Sequence, residues 1–225
     1  MTSWIFDMDG VIFDSENLYL SCCAEEAERL GMENIEETVR RCIGVTTEVT
    51  EAILLETYQD AALVRRFREN TAALFRKKYQ DGQLKIRTGV RELLQTLKDA
   101  GARMAIASST QTEIVRSEIR EAGLLDFFDV IVGGDQAPRS KPNPDIFLKA
   151  AERLEAKPED CVVVEDSYHG IRAAKAAGMT AIMVPDLLAP NDEMRQLADD
   201  IAESLLVIAE SMKKYCSGAL RTDSA

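Results

Sequence analysis

The sequence predicts the α/β fold class: a parallel sheet covered by helices and interrupted once by an all-helical insertion. Five short runs, at Ser3–Phe6, 103–107, 129–132, 161–164 and 180–184, are nearly continuous in apolar residues. Strands buried on both faces read this way, whereas half-exposed strands alternate. From residue 90 onward helix-like segments, at 90–100, 111–122, 144–155, 168–177 and about 204–214, alternate with those runs. That order implies parallel pairing through right-handed crossovers. Between the first and second runs the rhythm breaks. Residues 16–86 are rich in Ala, Glu, Leu and Arg and place side chains at helical spacing, for example Leu74, Phe75, Lys78 and Tyr79. The expected division is a core of 1–15 and 87–225 with a helical insert of about four helices at 16–86. The chain re-enters the core near Arg87-Thr88-Gly89, and the small polar stretch 217–225 is expected to fray.

Composition narrows the function. The 225 residues suffice for one large domain or a core with a smaller insert, and the 46% apolar fraction suits a soluble protein. Lys and Arg number 27 against 39 Asp and Glu, a net charge of −12. Such a chain repels nucleic acid and anionic membranes, so neither is an expected partner. A phosphorylated ligand needs a local cation or metal ion to reverse that field. The five cysteines are scattered, with no CxxC spacing, and are expected to be reduced. No signal peptide and no apolar run of membrane-spanning length is apparent, so a cytoplasmic protein is the expectation; the sequence does not set the oligomeric state, and a monomer is the default.

The chemistry-bearing residues sit where strands end. The first run leads into Asp7-Met8-Asp9-Gly10-Val11, the second into Ser108-Ser109-Thr110 and the fourth into Glu165-Asp166. The loop after the third carries Lys141-Pro142-Asn143-Pro144. Ligand sites of open α/β sheets gather at the carboxyl ends of strands. Carboxylates from two strands make a hard, oxygen-rich site of the kind Mg²⁺ prefers. Lys141 can hold a phosphate and a nucleophilic carboxylate together, and Ser108 with backbone N–H groups can bind the remaining phosphoryl oxygens. An Asp can attack phosphorus, and a second Asp two residues on can protonate the leaving oxygen and then activate water.

Taken together these segments resemble the haloacid dehalogenase superfamily. Asp7-Met8-Asp9-Gly10-Val11-Ile12-Phe13-Asp14-Ser15-Glu16 is similar to its first motif and Ile106-Ala107-Ser108-Ser109 to its second. Lys141-Pro142-Asn143-Pro144-Asp145-Ile146-Phe147 is similar to the third, and Val164-Glu165-Asp166-Ser167-Tyr168-His169-Gly170-Ile171 to the fourth. The resemblance implies a Rossmann-like core with a helical cap. It implies Asp7 as nucleophile, Asp9 as general acid/base, and Ser108, Ser109 and Lys141 as phosphate-binding residues. It also implies Mg²⁺ held by Asp7, Asp166 and the Asp9 backbone carbonyl, with Glu165 as a further ligand or a support behind the ligands. Asp9 stands where dehalogenases lack an Asp, so the resemblance implies phosphate chemistry on a small phosphate ester, expected to be a sugar phosphate.

The most similar branch is that of the beta-phosphoglucomutases, which contains mutases and phosphatases. The mutase pattern has a histidine near position 19 or 20, where this chain has Tyr19 and Leu20, and an arginine after a Gly-Val turn, here Gly44-Val45-Thr46-Thr47. Both departures favour transfer to water; a phosphomutase and a non-catalytic binding module remain as alternatives. A calcium loop does not fit, because Gly10 stands fourth from Asp7 and a strand precedes it. A receiver domain carries its acceptor on a later strand. Ser167 is expected to cap the following helix, leaving Asp166 for metal. His169 and Gly170 read as structural, and the basic runs at 65–68 and 76–78 as solvated faces. Glu16, Tyr19 and residues 44–48 are the expected substrate-lining positions.

Overall fold

A computed structural model of the chain describes residues 2–42 and 47–219. It divides into two compact units, one of Met1–Phe13 with Ile86–Ala225 and the other Asp14–Lys85.

The first unit is built on six parallel strands. β1 (Ser3–Phe6), β2 (Met104–Ala107), β3 (Val130–Val132), β4 (Cys161–Glu165), β5 (Thr180–Met183) and β6 (Asp200–Ile201) are arranged in the order β3-β2-β1-β4-β5-β6. The five apolar runs become the first five strands. The sixth has two residues and no apolar run to announce it, and it pairs with β5 through Ile182 and Met183. The register sets Phe6 beside Ile106 on one side and Val164 on the other. Ile5, Ala105, Val163 and Ala181 are fully buried, which explains the lack of alternation in the sequence.

Helices cover both faces. α5 (Val90–Asp99), α6 (Thr112–Glu121), α7 (Asp145–Arg153), α8 (Tyr168–Ala176) and α10 (Leu205–Ala219) match the expected segments, and α9 (Asp192–Leu197) adds a short one. α10 runs to Ala219, past the expected helix end near 214; residues 220–225 of the expected frayed tail lie outside the described residues. α7 packs on β1, β2 and β3, burying Ile146, Phe147, Ala150 and Ala151. The chain turns back after β1, and an antiparallel bridge between Phe13 and Ile86 closes the stem of the insertion.

The second unit consists of α1 (Ser15–Leu30), α2 (Ile35–Arg40), α3 (Thr47–Tyr58) and α4 (Ala61–Gln80). Gly31 ends α1 in the left-handed conformation, its N–H returning to Ala27 and Glu28 carbonyls. Asp60 starts α4 by accepting from the N–H groups of Ala62 and Leu63, both at 2.9 Å. Cys23, Ala27, Ile35, Val39, Leu54, Val64 and Phe67 form the core of this unit. The basic faces serve ion pairs between helices, Lys78 with Glu25 of α1 at 2.6 Å and Arg68 with Glu51 of α3. Glu16 and Tyr19 lie on α1; of the other expected lining positions, 44–46 lie outside the described residues, as do the side chains at 47 and 48.

Leu97 is fully buried on α5, and truncation there leaves a cavity that the packed sheet cannot close. Leu97→Ala is expected to destabilise the protein by about 2–5 kcal/mol, read as a shift in the urea midpoint at constant slope.

Candidate active site

The order β3-β2-β1-β4-β5-β6 places a topological switch between β1 and β4. The chain winds outward in one direction from β1 and in the other from β4, leaving a crevice beyond their carboxyl ends. Asp7 follows β1 directly, while Glu165 ends β4 and Asp166 follows it. These three carboxylates are buried, with Glu165 fully so.

Lys141 joins them. Its ammonium donates to Asp7 Oδ1 and to Glu165 Oε1, each at 2.7 Å. It also lies 4.9 Å from the centre of the Phe147 ring on α7, a favourable face for a desolvated cation. Burial alone would depress the Lys141 ammonium, but Asp7 and Glu165 outweigh it and hold its pKa above the ordinary lysine value. Burial pushes the Asp7 carboxyl up to about 7; Lys141 opposes this, and the charges of Glu165 and Asp9 add to it.

Glu165 has a second set of partners. Its Oε2 accepts from the N–H of Ser167 at 2.7 Å and from the Ser167 hydroxyl at 2.9 Å. Ser167 in turn caps α8 by accepting from the Gly170 N–H at 3.0 Å, as the sequence predicts. Gly170 allows this arrangement, since a Cβ there would fall 1.8 Å from the Glu165 carboxyl. Gly170 therefore serves the close packing of α8 against the end of β4. Gly10 is constrained twice over: its φ is +75°, and a Cβ would stand 2.3 Å from Asp166 Oδ2.

Asp9 sits half-buried beside this group. The Thr110 hydroxyl lies 3.1 Å from its Oδ2. Ser108 is fully buried, its hydroxyl accepting from the Thr110 N–H at 3.1 Å; Ser109 is exposed. Arg87, the second residue after the insertion, donates to the Gly10 carbonyl, reaches the Pro185 carbonyl at 3.3 Å and pairs with Asp186 at 3.2 Å. Sequence reading quoted Thr110 at the end of the second run and Arg87 at the point of re-entry but gave neither a role in the site. Thr110 adjoins the Ser108-Ser109 pair and could have been included for its hydroxyl, whereas nothing local marks Arg87.

Ligand oxygens of Asp7, Glu165 and Asp166 lie within 4.8 Å of one another. Three buried carboxylates facing one lysine leave negative charge in excess, and a hard divalent cation fits both the charge and the all-oxygen donor set. Buried carboxylates, a buried cation and a strand-end hydroxyl in one crevice are suited to phosphoryl or acyl transfer.

Residues 4–184 match the profile of the haloacid dehalogenase-like hydrolases. A phosphorylated carbohydrates phosphatase from Thermotoga maritima is 37% identical over 182 residues, covering 81% of this chain and 84% of that protein. A crystal structure from Thermotoga maritima, provisionally described as a beta-phosphoglucomutase, is 33% identical with a TM-score of 0.79 and covers 95% of this chain and 99% of its own. CbbY from Rhodobacter sphaeroides, solved with phosphate, is 27% identical with a TM-score of 0.67 over 92% of this chain and 96% of that one. With the four motifs converging at one switch point, the chain belongs to the haloacid dehalogenase-like hydrolases, in their beta-phosphoglucomutase-like branch.

Proposed function

We propose that the chain is a phosphatase hydrolysing a small phosphomonoester, a sugar phosphate in the first instance, through an aspartyl phosphate on Asp7. The observation that carries this is the Lys141 ammonium shared at 2.7 Å between Asp7 and Glu165. It brings a candidate nucleophile and a phosphate-binding cation to one buried point. The phosphatase named among the relatives and the phosphate held by CbbY support the same reading.

In the first step an Asp7 oxygen bonds to phosphorus as the ester P–O bond breaks, and Asp9 gives its proton to the departing alkoxide. In the second, Asp9 takes a proton from water, whose oxygen attacks phosphorus and releases inorganic phosphate and free Asp7. Lys141, Ser108 and Ser109 hold the phosphoryl oxygens, and Glu165 fixes Lys141. We assign Mg²⁺ to Asp7, Asp166 and the Asp9 backbone carbonyl, with Glu165 within reach as a further ligand. When bound, the ion balances the charge of these carboxylates and of the phosphate. The helical unit takes the part of the cap that the family resemblance implies, and with it substrate selection.

The reading is tested by inorganic phosphate release from a panel of sugar phosphates, nucleotides and other small esters, with Mg²⁺ and with EDTA. Release that depends on Mg²⁺ is expected; its absence from every ester, including β-glucose 1-phosphate, would move the assignment to a phosphomutase or a binding module. Asp7→Asn is expected to abolish turnover in a folded protein, and appreciable residual activity in a pure sample would rule out the covalent route. Asp9→Asn is expected to slow turnover by roughly 100-fold or more while Mg²⁺ still binds, a pairing read by kinetics and calorimetric titration.

A pH dependence follows from Asp7. Its raised pKa means that the metal-free folded state holds a proton more tightly than the unfolded chain does. That contribution to stability is present at low pH and is lost as pH rises through about 7. Mg²⁺ competes with the proton, so the rise in Tm on adding Mg²⁺ should be small at pH 5 and larger at pH 8. Scanning calorimetry with Mg²⁺ or EDTA checks this, and equal gains at both pH values would contradict it.

A further inference from the structure

We propose that Thr110 is a positioning residue for Asp9, an inference that rests on the hydrolase reading above and adds a residue to it. The Thr110 hydroxyl stands 3.1 Å from Asp9 Oδ2, and its own backbone is fixed on both sides. The Thr110 N–H donates to the Ser108 hydroxyl at 3.1 Å, and the Thr110 carbonyl accepts from the Gly134 N–H at 2.8 Å. Ser108 itself donates from its N–H to the Val132 carbonyl at 3.1 Å. Two residues on, Thr112 donates from both its N–H and its hydroxyl to Asp135 Oδ1, each at 2.7 Å. The segment from the end of β2 to the start of α6 is thus stitched at three points, Ser108, Thr110 and Thr112, to the end of β3 and the loop that follows it. Thr110 reaches Asp9 from a braced frame.

The choice of a hydroxyl has a chemical reason. The proposed reaction takes Asp9 from carboxylic acid to carboxylate and back. A hydroxyl donates to the carboxylate and accepts from the acid by rotating its own O–H bond, with no heavy atom moving. A lysine or arginine in its place could only donate and would hold the ionised form. Holding one oxygen of Asp9 also fixes the plane in which the other meets the departing oxygen or the attacking water. Thr110 neither loses a proton nor touches phosphorus in this scheme.

Thr110→Val removes the hydroxyl and keeps the shape, and Thr110→Ser keeps the hydroxyl. On an alkyl phosphate ester that the wild type hydrolyses, Thr110→Val is expected to lower kcat roughly 10-fold, a fraction of what a general acid contributes, with KM changed less than about 2-fold. Thr110→Ser should stay within about 3-fold of wild type. The loss in kcat/KM should be smaller on p-nitrophenyl phosphate, whose leaving group departs without a proton. Urea denaturation of each variant separates misfolding from a kinetic effect. A folded Thr110→Val with wild-type kcat on the alkyl ester, equal losses on both esters, or a Thr110→Ser as slow as Thr110→Val would each overturn the inference alone. A wild type inert toward every ester overturns the hydrolase reading as well, so the two failures are told apart.

Discussion

The pairing of Lys141 with Asp7 and Glu165 is the interaction on which the site depends. Asp7, Glu165 and Asp166 are all buried, and their ligand oxygens lie within 4.8 Å of one another. Buried like charges at that separation repel strongly unless a cation is interposed. Lys141 supplies one positive charge at 2.7 Å from two of the three. Its side chain is itself 7% exposed, so without those carboxylates it would be a desolvated ammonium with the Phe147 ring as its chief compensation. Each partner therefore makes the burial of the other tolerable. The negative charge left over is of the sign and donor type that a divalent cation fits.

That crowding dictates the surrounding backbone. Asp166 leaves no room for a side chain at position 10, and Glu165 leaves none at position 170. Glu165 is held from below by Ser167, which also starts α8. One carboxylate thus orients the lysine, and the serine that orients the carboxylate caps a helix. Such chains of contacts keep a charged site rigid at the expense of stability, a trade common at catalytic centres.

The site is also tied to the point where the insertion returns. Phe13 and Ile86 bridge the stem, and Arg87, next in the chain, donates to the Gly10 carbonyl and pairs with Asp186 beyond β5. The turn that carries Asp9 and Gly10 is therefore gripped by the same residue that leads the chain back into the sheet. The loop after β2 receives comparable bracing from the loop after β3, through Gly134 and Asp135.

Much of this was legible in the sequence. Continuous apolar runs such as Trp4-Ile5-Phe6 and Met104-Ala105-Ile106-Ala107 report burial on both faces, and that apolar character is a local property of composition. Asp7, Asp9 and Asp166 stand just beyond strands that those runs locate, and Lys141 stands in the loop after the third. β6 and α9 escaped because two and six residues give no period to detect, and their positions come from pairing with β5 and packing on α8. The separate partners of Glu165 and Asp166 were equally hidden. Both are acidic and adjacent, and only the fold shows that Glu165 meets Lys141 and Ser167 while Asp166 faces Gly10. The same holds for Arg87 and Thr110, whose partners lie 77 and 101 residues away along the chain. Sequence by itself determined which segments are buried and which residue types stand at their ends, because hydrophobic period and side-chain chemistry are local. Which carboxylate meets which cation was decided only by the strand order, because contacts between distant residues exist only once the sheet has set its neighbours.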